Sequence, residues 1–146
     1  MKIRTDFVTN SSSSSYIIAY KSFPKIDRET INKYPFLNGF SEFLKDVLID
    51  YGLYGETSEG EICKTDREVK NYFLNEYNWQ DSDITFEALC KDNIWIEETY
   101  EKCATLIKEG MKILIKNIDY QDKISTHVIE TLLKDKDNFI LVREDK

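Results

Sequence analysis

The spacing of apolar residues changes three times in the last third of the chain, and this constrains the fold more than any other feature. Between Asn93 and Gly110, apolar residues recur every three or four positions, which is the pattern of one face of an amphipathic helix. We expect this helix to bury Ile96, Tyr100, Cys103 and Ile107, to expose Glu97, Glu98 and Glu101, and to end in a left-handed cap at Gly110. Residues 111–118 then alternate apolar and lysine side chains, 124–133 return to helical spacing, and 139–142 are wholly apolar. This order predicts an α+β fold with a C-terminal strand-helix-strand unit.

The earlier segments add one strand and several helices. Tyr16–Tyr20 is an aromatic and β-branched run, which favours a strand. A short helical turn is expected over 27–33, ended by the proline that follows, and an amphipathic helix over 40–51 is expected to close at Gly52. Residues 52–60 are rich in glycine and lack periodicity, so we expect a surface loop there.

A capping box predicts the start of another helix. The hydroxyl of Thr65 and the carboxylate of Glu68 can accept from backbone N–H groups that a helix start leaves free. The apolar residues of that helix are Val69, Tyr72, Phe73 and Tyr77. With a further helical turn over 85–90, the chain is expected to form one domain spanning 1–146, a small mixed sheet of about three to four strands packed by about four to five helices.

The C-terminal strand-helix-strand unit leaves two arrangements open. It can form a right-handed crossover between parallel strands, but its short connections also allow other arrangements. In the first case Asn117, Asp119 and Tyr120 would lie at the carboxyl end of a strand, where open parallel sheets bind ligands. This is the basis of one hypothesis, that the chain is a small-ligand-binding or enzymatic α/β domain.

The negative charge is concentrated in the middle of the chain. The net charge is -7, and residues 81–101 contain seven acidic residues and one lysine. Because binding to a nucleic-acid backbone requires clustered Lys and Arg, we expect no such binding. The pattern favours a basic protein surface as partner, or simple solubility.

The nucleophilic side chains lack catalytic context. Cys63, Cys90 and Cys103 form no C-x-x-C pair, and we expect three buried or half-buried thiols in a reducing compartment. The single histidine, His127, lies on a predicted helix without a nucleophile signature and is expected to be a partly exposed surface residue. The sequence therefore favours a protein that is not an enzyme.

The acidic residues do not match a known metal loop. Asp81-x-Asp83 begins like a calcium loop, but Phe86 and Asp92 occupy the positions that require Gly and Glu. We therefore expect no metal and no cofactor.

A serine tract precedes the first predicted strand. We expect Ser11–Ser15 to be a polar lead-in, so that residues 1–15 precede the ordered strand; a recognition or modification site and an anion nest are the alternatives. The run from Asp6 to Ile17, D-F-V-T-N-S-S-S-S-S followed by an aromatic and an aliphatic residue, resembles the opening of a group of uncharacterised bacterial proteins. That resemblance implies no established activity.

The leading hypothesis is a non-catalytic protein-interaction or regulatory module, of the inhibitor or immunity type. Its predicted partner-binding residues are acidic side chains with neighbouring tryptophans, the kind of residue that forms interface hot spots. They are Trp79, Asp81, Asp83, Trp95, Glu97, Glu98 and Glu101. A solvated helical face for the acids and core packing for the tryptophans are the alternatives.

The cellular location is predicted from the lengths of the apolar segments. No apolar segment approaches the roughly 18 residues that a membrane span needs, and residues 9–15 are polar where a signal peptide would be apolar. We therefore expect a cytoplasmic protein that does not bind membranes.

Overall fold

The computed structural model describes residues 13–49, 60–77, 84–119 and 121–145. These residues form an α+β fold, as the sequence predicts. The strands are β1 (Ser13–Tyr20), β2 (Gly60–Cys63), β3 (Lys112–Asp119) and β4 (Phe139–Asp145). The helices are α1 (Arg28–Lys33), α2 (Phe40–Leu48), α3 (Asp66–Tyr77), α4 (Phe86–Asp92), α5 (Ile94–Lys108) and α6 (Lys123–Leu132), with a 3-10 helix at Pro35–Gly39.

The four strands form one sheet in the order β2-β3-β1-β4. Every neighbouring pair is antiparallel. The sheet is therefore purely antiparallel, whereas the sequence analysis expected a mixed sheet. Strands β3 and β4 flank β1 on its two sides and therefore run parallel to each other without touching. The strand-helix-strand unit is present, but its helix α6 crosses over β1 and does not connect adjacent parallel strands.

Helices cover both faces of the sheet. Ile17 and Ala19 of β1 belong to an apolar cluster with residues of α3, α4 and α5. The alternate residues Tyr16, Ile18 and Tyr20 belong to a second cluster with α2 and α6. Because successive side chains of a strand point to opposite faces, the fold has three layers, with the sheet in the middle.

Lys116 is buried, which the alternating pattern of β3 does not indicate. Its position in β3 alternates with Ile113 and Ile115, which suggested a half-buried strand, yet its side chain is 0% exposed. It shares a sheet face with Leu114 and Ile118, and the α2 and α6 layer covers that face. The middle of a strand that is covered on both sides is buried on both faces, and this lysine lies there.

The predicted caps of α3 and α5 are confirmed. The N–H of Glu68 donates to the Thr65 hydroxyl at 3.2 Å, and the Glu68 carboxylate accepts from the N–H of Lys64 at 3.1 Å. At the end of α5, Gly110 has φ +94°. Its N–H donates to Ile107 O and that of Met111 to Leu106 O, the two bonds of a Schellman motif.

Strand β2 lies where a loop was predicted to end. Gly60 is its first residue, and a Cβ there would collide with the carbonyl oxygen of Leu48. The close approach of α2 explains why glycine stands at this position. Residues 50–59, which include the predicted closure at Gly52, lie outside the described part of the chain.

The serine tract enters the sheet earlier than expected. Strand β1 begins at Ser13, ahead of the predicted start at Tyr16. Ser15 is buried, and its hydroxyl donates to Asn117 Oδ1 of β3 at 2.5 Å. The end of the tract is therefore packed structure and not a lead-in, because a hydroxyl paired across strands can be buried; Ser11 and Ser12 lie outside the described residues.

Candidate protein-interaction site

Helix α5 presents its acidic residues to solvent. Ile96, Thr99 and Cys103 are buried on its inner face. Tyr100 and Ile107, which the spacing also predicted to be buried, are only half-buried. On the opposite face Glu97, Glu98 and Glu101 are exposed, which confirms the predicted orientation of this helix.

A groove lies between α5 and α4. The two helices are joined by Asn93 alone, whose side-chain amide donates to the carbonyl of Leu89 at 3.0 Å. This tight turn places the side chains of α4 beside the first turns of α5. The groove, which we call the α4–α5 groove, has a volume of about 320 Å³. Its lining includes the charged residues Lys70, Glu87, Lys91, Glu97 and Glu101 and the side chains of Phe86, Cys90 and Tyr100.

A cation from the chain itself already occupies the aromatic part of this groove. The Lys70 ammonium lies 5.5 Å from the ring centroid of Phe86 and 5.3 Å from that of Tyr100. The two rings contact each other edge to face, with centroids 4.9 Å apart. A cation within about 6 Å of an aromatic face is attracted by the ring quadrupole. The geometry therefore suits a primary ammonium group.

The glutamates outnumber the lysines along this groove, and the pKa of Cys90 reflects their field. Burial raises the pKa of the Cys90 thiol, and Glu97, Glu87 and Glu101 raise it further, against the opposing effect of Lys70. Burial also raises the pKa of Tyr100, whose hydroxyl donates to Asp66 Oδ2 at 3.4 Å. The groove thus favours positive charge.

A second groove lies on the other side of α5, against strand β4. This β4 groove has a volume of about 550 Å³. Helix α5 contributes Glu98, Glu101, Lys102, Thr105 and Leu106, and β4 contributes Ile140, Leu141 and Val142. Glu101 lines both grooves, so the exposed ridge of α5 separates two neighbouring depressions.

Trp95 is packed into an aromatic cluster and not into the acidic face. Its ring meets those of Phe73 and Tyr77 edge to face, at centroid distances of 6.0 and 5.4 Å. The Arg143 guanidinium covers it at 4.4 Å from the ring centroid and pairs with Asp145 at 2.9 Å. The other predicted partner-binding residues, Trp79, Asp81 and Asp83, lie outside the described residues.

The described thiols are poorly suited to nucleophilic chemistry. Burial raises the pKa of Cys63 and of Cys103 to about 12, so both thiols stay protonated near neutral pH. His127 is exposed on α6, which packs on the opposite face of the sheet from all three cysteines. The histidine therefore cannot serve as a base for them.

The strand-end crevice of the ligand-binding hypothesis is small. Asn117 is bonded to Ser15, and Asp119 Oδ1 accepts from the N–H of Gln121 at 2.9 Å, while Tyr120 lies outside the described residues. The cavity beside Asn117 measures about 60 Å³. Since small-molecule pockets usually measure about 300 to 1,000 Å³, this cavity is too small for a typical organic ligand.

Sequence patterns could not identify most of the grooves' lining. Lys70 reaches the α4–α5 groove from α3, and the second groove combines α5 with β4, which lies about 30 residues later in the chain. Two local signals were present. The amphipathic pattern of α5 predicted the exposed Glu97, Glu98 and Glu101, and Thr85 marked the start of α4, where it accepts from the N–H of Ala88 at 3.1 Å. The remaining contacts depend on tertiary packing.

Comparison with protein-family models, curated proteins and solved structures finds no match to this chain. Among the helices that the structure describes, none is long and apolar enough to cross a membrane. Within the same ranges, no group of three or more His, Cys, Asp or Glu side chains is placed to hold a metal ion. The chemistry of the two grooves is therefore the available guide to function.

Proposed function

We propose that this chain is a non-catalytic regulatory module, of the inhibitor or immunity type, that binds a basic protein surface through the α4–α5 groove. The observation that carries the proposal is the Lys70 ammonium, which lies 5.5 Å from the ring centroid of Phe86 and 5.3 Å from that of Tyr100, in a groove that three glutamates also line. A site that holds one lysine of its own chain has the ring faces and carboxylates that a partner's lysine or arginine would use.

The exposed glutamates of α5 give the site its long-range attraction. Glu97, Glu98 and Glu101 all face solvent, so their field reaches an approaching partner before any contact forms. Such complementarity mainly raises the association rate and the selectivity of binding, and salt screens it. The lysines Lys91 and Lys102 moderate the charge and supply donors for acidic groups on the partner.

A charge-reversal experiment tests this function. The probe is a short fluorescent peptide of alternating lysine and serine, titrated at low salt against the full chain and against Glu97→Lys/Glu98→Lys/Glu101→Lys. We expect affinity to fall about tenfold or more, because the variant repels the probe. Raising the ionic strength to about 0.5 M should also weaken binding to the natural chain.

A matched control removes the effect of total charge. The variant Glu29→Lys/Glu130→Lys/Asp137→Lys changes the net charge equally, at exposed positions of α1, α6 and the turn before β4. It should retain most of the affinity. Equal losses in the two variants, or no loss in either, would overturn the proposed function.

A further inference from the structure

The β4 groove has a character different from that of the α4–α5 groove. Its lining includes the apolar residues Leu106, Ile140, Leu141 and Val142. Ile140 pairs with Ala19 and therefore points to the sheet face that α5 covers, and its side chain is 40% exposed. Apolar side chains that line a depression together are a mark of recognition surfaces, whereas single exposed ones need no explanation.

Strand β4 protects one half of its edge and leaves the other half open. It pairs only with β1 within the described sheet, so its second side is an edge. The pairing register shifts opposite Ile17 and Ile18, and the charged residues Arg143, Glu144 and Asp145 follow this bulge. Bulges and charges are devices that block unwanted strand pairing. The apolar half, at Ile140 and Leu141, carries neither.

The charged residues on the rim of this groove indicate which charge its binding partner carries. Glu98 and Glu101 stand on the rim with Lys102, so acids outnumber bases. A second copy of the chain would meet the same patch across a two-fold axis and bring these glutamates against each other. A basic partner segment meets them with opposite charge.

We propose that the β4 groove takes an apolar side chain of the same basic partner segment that fills the α4–α5 groove. This inference rests on the proposed function, and it adds an apolar anchor to the charge contact. Glu101 lines both grooves, so one segment lying across α5 reaches both.

The width of α5 sets the spacing of the two anchors. A helix with its side chains is about 10 Å across, and an extended chain advances about 3.3 Å per residue. An apolar residue and a lysine about three positions apart therefore span the ridge. The partner segment is one in which a leucine-sized side chain is flanked by Lys or Arg at that distance.

Two peptides that differ in one residue test this inference. The first is the alternating lysine and serine probe, and the second is the same peptide with one central serine replaced by leucine, which leaves a lysine three positions away on each side. Burying a leucine side chain should make the second peptide bind about ten- to a hundredfold more tightly.

Matched variants locate the effect. The advantage of the leucine peptide should disappear in Ile140→Gln and persist in Ile124→Gln, which changes a similarly exposed apolar residue of α6. Thr105→Gln, at an exposed position of α5, fills the groove without disturbing β4 and should reduce the advantage as well.

The outcomes separate the two proposals. If both peptides bind equally and binding still depends on the α5 glutamates, the apolar anchor is wrong and the proposed function stands. If neither peptide binds at low salt, both are wrong. If sedimentation shows that the chain is a dimer and that Ile140→Gln dissociates it, a second copy covers the groove and the inference is overturned.

Discussion

The two helical layers of this fold differ in the charged residues that they bury among the described positions. On the side of α6, Asp122 and Ser125 are completely buried and bonded to each other, and Lys116 is buried beneath the same layer. On the side of α5, the glutamates face solvent around two grooves. Buried polar groups satisfied within the fold serve structure, whereas exposed charges beside grooves are available to a partner. Under this division, substitutions of buried residues should change stability, and substitutions of the exposed glutamates should change binding.

The largest effect is expected from the core beneath α5. Ile96 is 0% exposed, and Ile96→Ala should lower the free energy of unfolding by about 2 to 5 kcal/mol because it leaves a cavity. Its neighbour Ile94 is 64% exposed, and Ile94→Ala should change stability by about 0.5 kcal/mol or less. Urea unfolding of both variants measures the difference; similar losses would mean that the helix is misoriented.

A somewhat smaller effect is expected on the side of α6. Asp122 caps α6, accepting from the Ser125 N–H at 3.0 Å and from its hydroxyl at 2.6 Å. Asp122→Ala leaves both buried donors without that acceptor and should cost about 2 to 4 kcal/mol. Asp27 caps α1 in the same way, accepting from the Thr30 N–H at 2.7 Å, but at an exposed position. Asp27→Ala should therefore cost clearly less, and equal losses would contradict the division.

The Schellman cap of α5 supports a third prediction. Gly110 has φ +94°, and a Cβ added there would meet no other atom within 4 Å. Backbone strain alone therefore limits substitution at this position. Gly110→Ala should cost about 1 to 2 kcal/mol, because an L side chain disfavours the left-handed region. Gly39→Ala is the control, since Gly39 also has open space but no positive φ. A larger loss at Gly39, measured by urea unfolding, would show that the cap contributes little.

Alkaline pH should destabilise both layers, starting from thiols on the α5 side. Burial raises the folded-state pKa of Cys63 and Cys103 to about 12 from 9.0, and that of Tyr16 and Tyr20 to about 12 from 10.0. The unfolded chain therefore releases these protons first, so stability is full below pH 9.0 and falls between pH 9.0 and about 12. Cys103→Ala should flatten the fall that begins near pH 9.0, as urea unfolding across this range would show. An unchanged profile would contradict the stated cause.

The smallest effect on stability should come from the α5 glutamates themselves. Reversing Glu97, Glu98 and Glu101 alters exposed side chains only, and each change should stay within about 0.5 kcal/mol. The same triple variant is expected to lose binding of the lysine peptide. A variant that unfolds would show instead that these charges are structural.

Local signals predicted the helices and their caps well. The Thr65 and Glu68 capping box and the Gly110 cap depend on side chains and backbone within a few residues, so the sequence contains the whole cause. Strand β2 escaped prediction because it has only four residues and begins at a glycine that the approach of α2 requires. The burial of Lys116 and the position of Lys70 were also hidden, since both depend on which helix covers which face.

The Lys70 position tests the central claim most directly. If the α4–α5 groove binds a partner's cation where the Lys70 ammonium lies, the two compete, and Lys70→Met removes the competitor. The lysine and serine peptide should then bind about two- to fivefold more tightly. Lys134→Met makes the same charge change at an exposed position beyond α6 and should have a smaller effect. Unchanged or weaker binding to Lys70→Met, or an equal gain in the control, would contradict the account.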